Sequence, residues 1–207
     1  MGRKRKPYPI FKEVTIIDTA AEGKSMAKID EKVVFVPLSV PGDIVDIQIT
    51  RKRRRFMEGK VIHFHHYSEK RVEPFCEHFG VCGGCKWQLL SYEDQLANKA
   101  RTVKDSIERI GKQENPPILP IIAAPETQFY RNKLEFSFSN KEWLTQEQID
   151  SGEDFDNRNA LGFHIPGLFD KILDIKKCWL QDEPSNSIRL WVKEYAVKHE
   201  LTFFDLR

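Results

Sequence analysis

The segment "KVVFVPLSVPGDIVDIQIT", residues 32–50, carries the clearest folding signal in the sequence. It starts with a β-branched run at residues 33–36, and it ends with Val45, Ile47 and Ile49 alternating with polar residues. Alternation with a period of two is typical of a strand that buries one face. Pro41-Gly42 separates the two runs and indicates a turn. The segment therefore predicts two strands joined by a short connection.

Strand signals continue on both sides of this segment. Val14 and Ile16 alternate with polar neighbours before it, and the run Val61–Phe64 follows it. Five short strands at this spacing, with no helical periodicity, predict a small closed β-barrel of the OB type. We assign this barrel to residues 1–67, which include a basic N-terminal tail at residues 3–6.

The pattern becomes helical after residue 75. Apolar residues recur at steps of three and four, which predicts an amphipathic helix with the buried stripe Leu96, Ala100, Val103, Ile107 and Ile110. Ser91 and Asp94 resemble a capping box, and Gly111 is a C-terminal stop. Ser185 begins a second predicted helix, whose buried stripe is Ile188, Trp191, Val192 and Tyr195.

Three more strand signals accompany these helices, at residues 133–139, 160–164 and 171–175. The last two are joined through Pro166-Gly167, which indicates a turn. We therefore predict a mixed fold: the OB-like barrel, followed over residues 68–207 by an α+β domain with an antiparallel sheet and two helices. An apolar element starts at Leu201 and the sequence stops soon afterwards, so we expect this second domain to be incomplete at its C-terminus.

Composition narrows the classes of partner and compartment. The longest apolar runs are far too short to span a bilayer, and the first residues lack the apolar segment of a signal peptide, so we expect a cytoplasmic protein. Residues 1–66 carry fourteen Lys and Arg against eight Asp and Glu, although the whole chain has a net charge of only +2. A basic first third favours a polyanionic partner, nucleic acid first. The alternative is that these cations only solubilise a small domain.

Three of the four cysteines fall within ten residues, as Cys76, Cys82 and Cys85, and 92 residues separate Cys85 from Cys178. In a reducing compartment such a cluster favours a metal site over a disulfide framework. Four thiolates satisfy either a tetrahedral zinc ion or a [4Fe–4S] cluster, and the spacing alone does not choose between them. A disulfide between Cys82 and Cys85 is a further alternative.

Cations and aromatic residues form the candidate nucleic-acid contacts. A loop of five like charges has a repulsive cost that phosphate would relieve, although an ordinary solvated loop is the alternative. Phe56 and Tyr67 could stack on bases or simply pack. His63, His65 and His66 lack partners at a recognised ligand spacing, so we do not assign them to a metal. The candidates for RNA binding are Arg51, Lys52, Arg53, Arg54, Arg55, Phe56, Lys86, Arg131 and Lys133.

Three stretches together resemble the RNA (uracil-5-)-methyltransferases, specifically the 23S ribosomal RNA branch: "CEHFGVCGGCKWQ" (76–88), "FYRNKLEFSFS" (129–139) and "LGFHIPGLFDKILDIKKCWLQ" (161–181). The stretch from Gly23 to about His65 looks like the TRAM domain that begins those enzymes. The resemblance implies an RNA-binding TRAM barrel and a central domain with a [4Fe–4S] cluster. It also implies a C-terminal Rossmann-like domain that binds S-adenosylmethionine and transfers its methyl group to C5 of a uridine.

The resemblance assigns all four cysteines to the cluster and leaves none as the catalytic nucleophile. No Gly-rich strand–turn–helix for the methyl donor is visible in the sequence, so we expect this chain to lack the catalytic domain and to be inactive alone. The resemblance implies that the partner is RNA, most of all 23S ribosomal RNA. We expect no membrane association and a monomeric chain. Two other hypotheses remain open: a stand-alone RNA-binding module with a structural zinc, and an electron-transfer protein.

Overall fold

The computed structural model describes residues 8–153 and 157–205, which form two compact units. The first unit comprises Met1–Pro74 and Lys86–Ala123, and the second comprises Phe75–Cys85 and Ala124–Arg207. The units interleave along the chain, whereas the predicted domains are consecutive, so the boundary at residue 67 stays a prediction. The basic tail at residues 3–6 lies outside the described residues.

A six-stranded sheet forms most of the first unit. Its strands are β1 (Ile10–Thr15), β2 (Asp18–Thr19), β3 (Lys24–Ile29), β4 (Lys32–Pro37), β5 (Ile44–Lys52) and β6 (Phe56–His66). They are ordered β1-β5-β6-β4-β3-β2, and only the β4–β6 pair is parallel. The prediction of an N-terminal β unit is thus confirmed.

Two details of that prediction are wrong. The sheet has six strands rather than five, and it is a curled half-barrel rather than a closed barrel, because β1 and β2 remain at its two edges within the described residues. Register shifts interrupt the β1–β5 and β5–β6 pairs. Such irregularities bend a strand and increase its twist, which curls the sheet. The curl encloses a core of Ile16, Ala27, Val34, Val36, Val45, Ile47, Ile49 and Met57.

Helix α1 (Tyr92–Asp105) also belongs to the first unit, and it begins as predicted. The Ser91 hydroxyl accepts a hydrogen bond from the Asp94 N–H at 3.1 Å, and a π-helical turn at Ser106–Ile110 leads to Gly111. The predicted buried stripe is wrong, since Val103 is 50% exposed and Ile110 is 81% exposed. Polar contacts hold the helix instead. Arg101 pairs with Asp18 and donates to the Thr19 hydroxyl at 3.0 Å.

The second unit contains a three-stranded antiparallel sheet, in the order β7-β8-β9. Its strands are β7 (Ser137–Ser139), β8 (Ala160–Ile165) and β9 (Leu168–Asp174), and its helices are α2 (Gln146–Asp150) and α3 (Ser185–Lys198). The antiparallel sheet is confirmed. The described chain has three α-helices rather than two, because a Thr145–Gln148 capping box starts α2, which was not predicted.

Helix α3 buries a different face from the predicted one. Ile188, Trp191 and Tyr195 are 57%, 62% and 46% exposed, and the buried residues are Asn186, Arg189 and Ala196. The apolar residues of α3 do recur at helical spacing. Asn186 and Arg189 are buried instead because they form hydrogen bonds that this spacing does not reveal. None of the helices in the described residues has the length and apolarity needed to cross a membrane.

Candidate functional site

The predicted run of five cations lies where β5 passes into β6. Arg51 and Lys52 end β5, residues 53–55 form the connection, and all five side chains are exposed. The Arg53 N–H donates to the Phe56 carbonyl at 2.9 Å and closes the turn. Within the described residues, Arg51 is the only one of the five with a carboxylate partner, Glu58 at 3.7 Å. The loop therefore presents a dense positive charge to solvent, as a phosphate-binding surface requires.

Phe56, at the start of β6, is partly buried. Its ring meets Phe35 of β4 edge-on, with the ring centroids 5.6 Å apart. A ring held in this way contributes to packing, and its exposed part still offers an aromatic edge beside the cationic loop. Lys86, another RNA candidate in the first unit, is exposed and lies against Gly23. A Cβ at Gly23 would come within 2.4 Å of the Lys86 Cβ, so this close approach requires glycine.

The other two RNA candidates, Arg131 and Lys133, belong to the second unit and are exposed. The Arg131 N–H donates to the Leu180 carbonyl at 2.9 Å, which holds this segment beside the chain that follows Cys178. Lys133 pairs with Glu135 at 2.7 Å, but both side chains are 81% exposed. An exposed pair of this kind contributes little stability and leaves the lysine accessible to a phosphate.

The three clustered cysteines lie on a compact loop of the second unit. The N–H groups of Val81 and Cys82 donate to the His78 carbonyl, and the Gly83 N–H donates to the His164 carbonyl of β8 at 3.2 Å. A Cβ at Gly83 would come within 2.5 Å of that same carbonyl, so no larger residue fits. The Gly84 N–H also points at the Cys82 sulfur, at 3.4 Å. The glycines between the cysteines thus seat the loop and direct an N–H at a thiol.

Cys178 lies on a segment that polar side chains fasten from two sides. Asn186 of α3 accepts from the Cys178 N–H at 2.8 Å and donates to the Cys178 carbonyl at 3.0 Å. Arg189 donates to the carbonyls of Ile175 and Lys176. His78, from the cysteine loop, accepts from the Lys176 N–H at 2.9 Å. These contacts connect the cysteine loop to the segment that carries the distant fourth cysteine.

The sequence pattern did not indicate a role for His78, Asn186 or Arg189. In the structure all three are at least nine-tenths buried. Their sequence signal was weak. His78 is a histidine between two cysteines, and Asn186 and Arg189 are polar residues three positions apart on α3. Such pairs more often face solvent, so only the hydrogen bonds identify them as structural.

The structure describes all four cysteines, and no disulfide joins them. Burial raises the pKa of Cys76 and Cys178, and it raises the pKa of Cys82 to about 11, where the Gly84 N–H acts in the opposite direction. The charges of Cys85, Cys76 and Cys178 add to the rise at Cys82. At neutral pH these groups are protonated, unlike an activated nucleophile, and a metal would have to displace their protons.

The donor set fits a thiophilic metal centre. Cys82, Cys85 and Cys178 pack in one apolar cluster with Ile175 and Leu180, and thiolates are the ligands that both zinc and iron–sulfur clusters take. The described residues contain no group of three or more His, Cys, Asp or Glu side chains already arranged to hold a metal ion. Metal binding by the four cysteines therefore stays a prediction.

Comparisons with known proteins match this fold. A model of the TRAM domain matches residues 11–62, which cover β1 to most of β6. A protein of Bacteroides thetaiotaomicron, named an uncharacterized RNA methyltransferase, is 54% identical over 188 residues, which are 91% of this chain and 41% of that protein. The chain is homologous to RNA methyltransferases. The resemblance seen in the sequence is thereby confirmed.

Two further RNA methyltransferases extend the comparison. The 23S rRNA (uracil(1939)-C(5))-methyltransferase RlmD of Francisella tularensis subsp. novicida is 36% identical over 137 residues, covering 64% of this chain and 30% of that enzyme. The solved structure of Pyrococcus abyssi tRNA (uracil-54, C5)-methyltransferase, in complex with S-adenosyl-L-homocysteine, matches 91% of this chain and 37% of that one, with a TM-score of 0.54 and 19% identity. That structural likeness concerns the fold alone. The chain spans about two fifths of the length of the Bacteroides protein and of two other proteins named RNA methyltransferases.

Proposed function

We propose that this chain is the RNA-binding and thiol-cluster portion of an RNA methyltransferase that modifies C5 of a uridine in 23S ribosomal RNA. The observation that carries the proposal is the exposed five-cation loop on a TRAM domain whose chain is homologous to RNA methyltransferases over 91% of its length. The Francisella relative, named for a 23S rRNA uracil, supports the choice of substrate. The binding partner is RNA, through Arg51–Arg55 and Phe56, with Lys86, Arg131 and Lys133 as further contacts.

In this proposal Cys76, Cys82, Cys85 and Cys178 hold a [4Fe–4S] cluster. The centre supplies a structural cross-link, or a means of positioning RNA, rather than electrons, because transfer of a methyl group from S-adenosylmethionine needs none. The chain's own contribution is the scaffold already described: His78, Asn186 and Arg189 hold the Cys178 segment, and Gly84 directs an N–H at Cys82. S-adenosylmethionine would bind in a domain outside these 207 residues, so the chain alone would be inactive. The proposal further takes the chain to be monomeric and cytoplasmic.

RNA binding is tested by fluorescence anisotropy with a labelled fragment of 23S ribosomal RNA, at several salt concentrations. The association constant falls with salt, and each phosphate contact that is removed makes the slope of log K against log salt less steep by about 0.7 on single strands. We expect Arg53→Gln, Arg54→Gln and Arg55→Gln together to weaken binding at least tenfold and to make this slope less steep. The matched control replaces three exposed cations of the same unit, Lys104, Arg109 and Lys112, by Gln. Equal losses in both triple variants would reject the loop as the binding surface.

The metal is tested on protein purified without oxygen. About four iron and four sulfide per chain, with broad visible absorbance, would support the iron–sulfur proposal. One zinc per chain and a colourless solution would instead support the alternative, a stand-alone RNA-binding module with a structural zinc.

Methylation of uridine by the 207 residues alone, measured with labelled S-adenosylmethionine, would overturn the proposal that the chain lacks the catalytic domain.

A further inference from the structure

We propose that Tyr67, directly after β6, is a preformed stacking site for one unpaired base of the bound RNA. The inference rests on the proposed RNA-binding function and names the part of the first unit that would take a base rather than a phosphate. Neither the cationic loop nor the thiol cluster supplies such a site. It would take any nucleobase, because every base presents a π-face, and it would select single-stranded over paired RNA.

The first argument is the geometry of the rings. Tyr67 stacks on Phe64, with the ring centroids 4.6 Å apart and the ring planes only 16° from parallel. Phe64 in turn packs against the core of the first unit. Tyr67 is nevertheless 60% exposed. An aromatic ring laid flat on a supported neighbour, and left open to water, has the arrangement that a stacking base requires.

The second argument is that the stack is held in place. The Arg71 guanidinium lies 4.8 Å from the Phe64 centroid and 5.4 Å from the Tyr67 centroid. Arg71 donates from Nε and Nη2 to Asp43, at 3.1 and 2.9 Å, and from Nη2 to the Leu38 carbonyl at 2.9 Å.

Asp43 is itself fully buried. It also accepts the N–H groups of Val40 and Ser68, at 2.8 and 2.9 Å. The aromatic pair is therefore fastened through Arg71 to a buried carboxylate. A ring that is already ordered loses little conformational entropy when a ligand binds, which favours affinity.

The third argument is that much of Tyr67 is open. The distances among the two ring centroids and the guanidinium are 4.6, 4.8 and 5.4 Å, so the three groups form a compact triangle. Seen from the Tyr67 centroid, Phe64 and Arg71 therefore lie in neighbouring directions, and the 60% exposure of Tyr67 leaves the rest of its surface open to a base. Close to Tyr67 in the chain, His66 and Lys70 are exposed and can meet the flanking phosphates, whereas His65 is bound to Asp46 and Glu69 is an exposed carboxylate.

The test measures binding of the full chain to a short single-stranded oligouridylate, by fluorescence anisotropy. We expect Tyr67→Ala to weaken binding about 5- to 150-fold, the range for loss of one stacked base. Tyr67→Phe and Tyr67→Trp keep a ring and should stay within about threefold of the wild type. The slope of log K against log salt should be unchanged in all three variants, since no phosphate contact is lost. The control Tyr195→Ala removes another exposed tyrosine, which stacks on Trp191 of α3, and should leave binding unchanged.

A second series uses oligouridylates with one abasic position. The wild type should lose affinity for at least one of them, and Tyr67→Ala should lose none there, because both changes remove the same stack. Wild-type RNA binding that Tyr67→Ala leaves intact would overturn this inference alone. An equal loss in Tyr67→Ala and Tyr67→Phe would also overturn it, since the phenol oxygen would then matter instead of the ring. A wild type that binds no RNA would overturn the proposed function as well.

Discussion

The buried apolar core of the first unit consists of aliphatic side chains and one methionine, whereas the core of the second unit includes Cys178, with Cys82 and Cys85 packed against it. Val34, Val36, Val45 and Ile47 are all fully buried in the first unit. The second unit buries Cys178 beside Asn186 and Arg189. Burial of apolar area stabilises at about 25 cal/mol per Å² without any further partner, but a buried thiol or guanidinium needs a metal or a hydrogen-bond acceptor. The difference indicates that the apolar core of the second unit needs specific bonds in addition to buried area.

The largest expected effect comes from removing a thiol of the second unit. If the four cysteines bind one metal centre, Cys178→Ala removes a cross-link whose loop-closure contribution is on the order of 4 kcal/mol. We expect bound metal to fall and the second unit to lose its cooperative melting, while the first unit melts as before. Metal analysis and calorimetry measure the two effects. Val81→Ala is the control, because Val81 packs in the same cluster without a thiol. Unchanged metal in Cys178→Ala would remove this cysteine from the ligand set.

Shortening a core side chain tests whether buried apolar area stabilises the first unit. Ile47 on β5 is fully buried, and Ile47→Ala should lower the free energy of unfolding by about 3 kcal/mol, through lost burial and the cavity left behind. Ile62→Ala on β6 is the matched control, since Ile62 is 46% exposed, and it should cost less than about 1 kcal/mol. Urea unfolding measures both variants. Similar costs would contradict the view that this unit is held by its aliphatic interior.

A polar position of the second unit gives a smaller but distinctive effect. Arg189→Met keeps the aliphatic stem of the side chain and removes the donors to the Ile175 and Lys176 carbonyls. Leaving buried acceptors unpaired should lower the free energy of unfolding by about 2 kcal/mol. Lys198→Met, at the exposed end of the same helix, should change it by less than about 0.5 kcal/mol. A cost for Arg189→Met as small as that of the control would show that these bonds do not hold the Cys178 segment.

The smallest expected effect is a pH dependence of the first unit. Asp46 accepts hydrogen bonds from the Glu13 N–H at 2.9 Å and from the His65 ring at 2.6 Å, and these bonds lower the pKa of Asp46. A lowered pKa gives stability that is present above the unfolded-state pKa, about 4, and is lost as the pH falls through the folded-state value. Between about pH 4 and pH 2, the urea midpoint of the wild type should therefore fall more than that of Asp46→Asn. Asp30→Asn, at an exposed carboxylate, should follow the wild type. Parallel curves for all three proteins would exclude this contribution of Asp46.

The two units also differ in how far their sequences predicted them. The strands β4 and β5 were visible because alternation and β-branched runs report directly which face is buried, and the Pro41-Gly42 turn is confirmed, with Gly42 at a φ of +97°. The buried faces of α1 and α3 were predicted wrongly. An apolar stripe shows that a helix could bury that face, but whether another element lies against it is decided elsewhere in the chain. On α3, the hydrogen bonds of Asn186 and Arg189 turned the polar face inward.

By itself the sequence determined the β architecture of the first unit, the antiparallel sheet of the second and the start of α1, because these depend on local periodicity, caps and turns. The TRAM domain was indicated by the resemblance to known enzymes instead. Only the tertiary structure decided which face of each helix is buried and that the sheet stays open at its edges. It alone revealed that His78 and α3 fasten the Cys178 segment, and that Phe64 and Arg71 support Tyr67. These features depend on contacts between residues that are distant in the chain. The local pattern of a sequence carries no record of such partners.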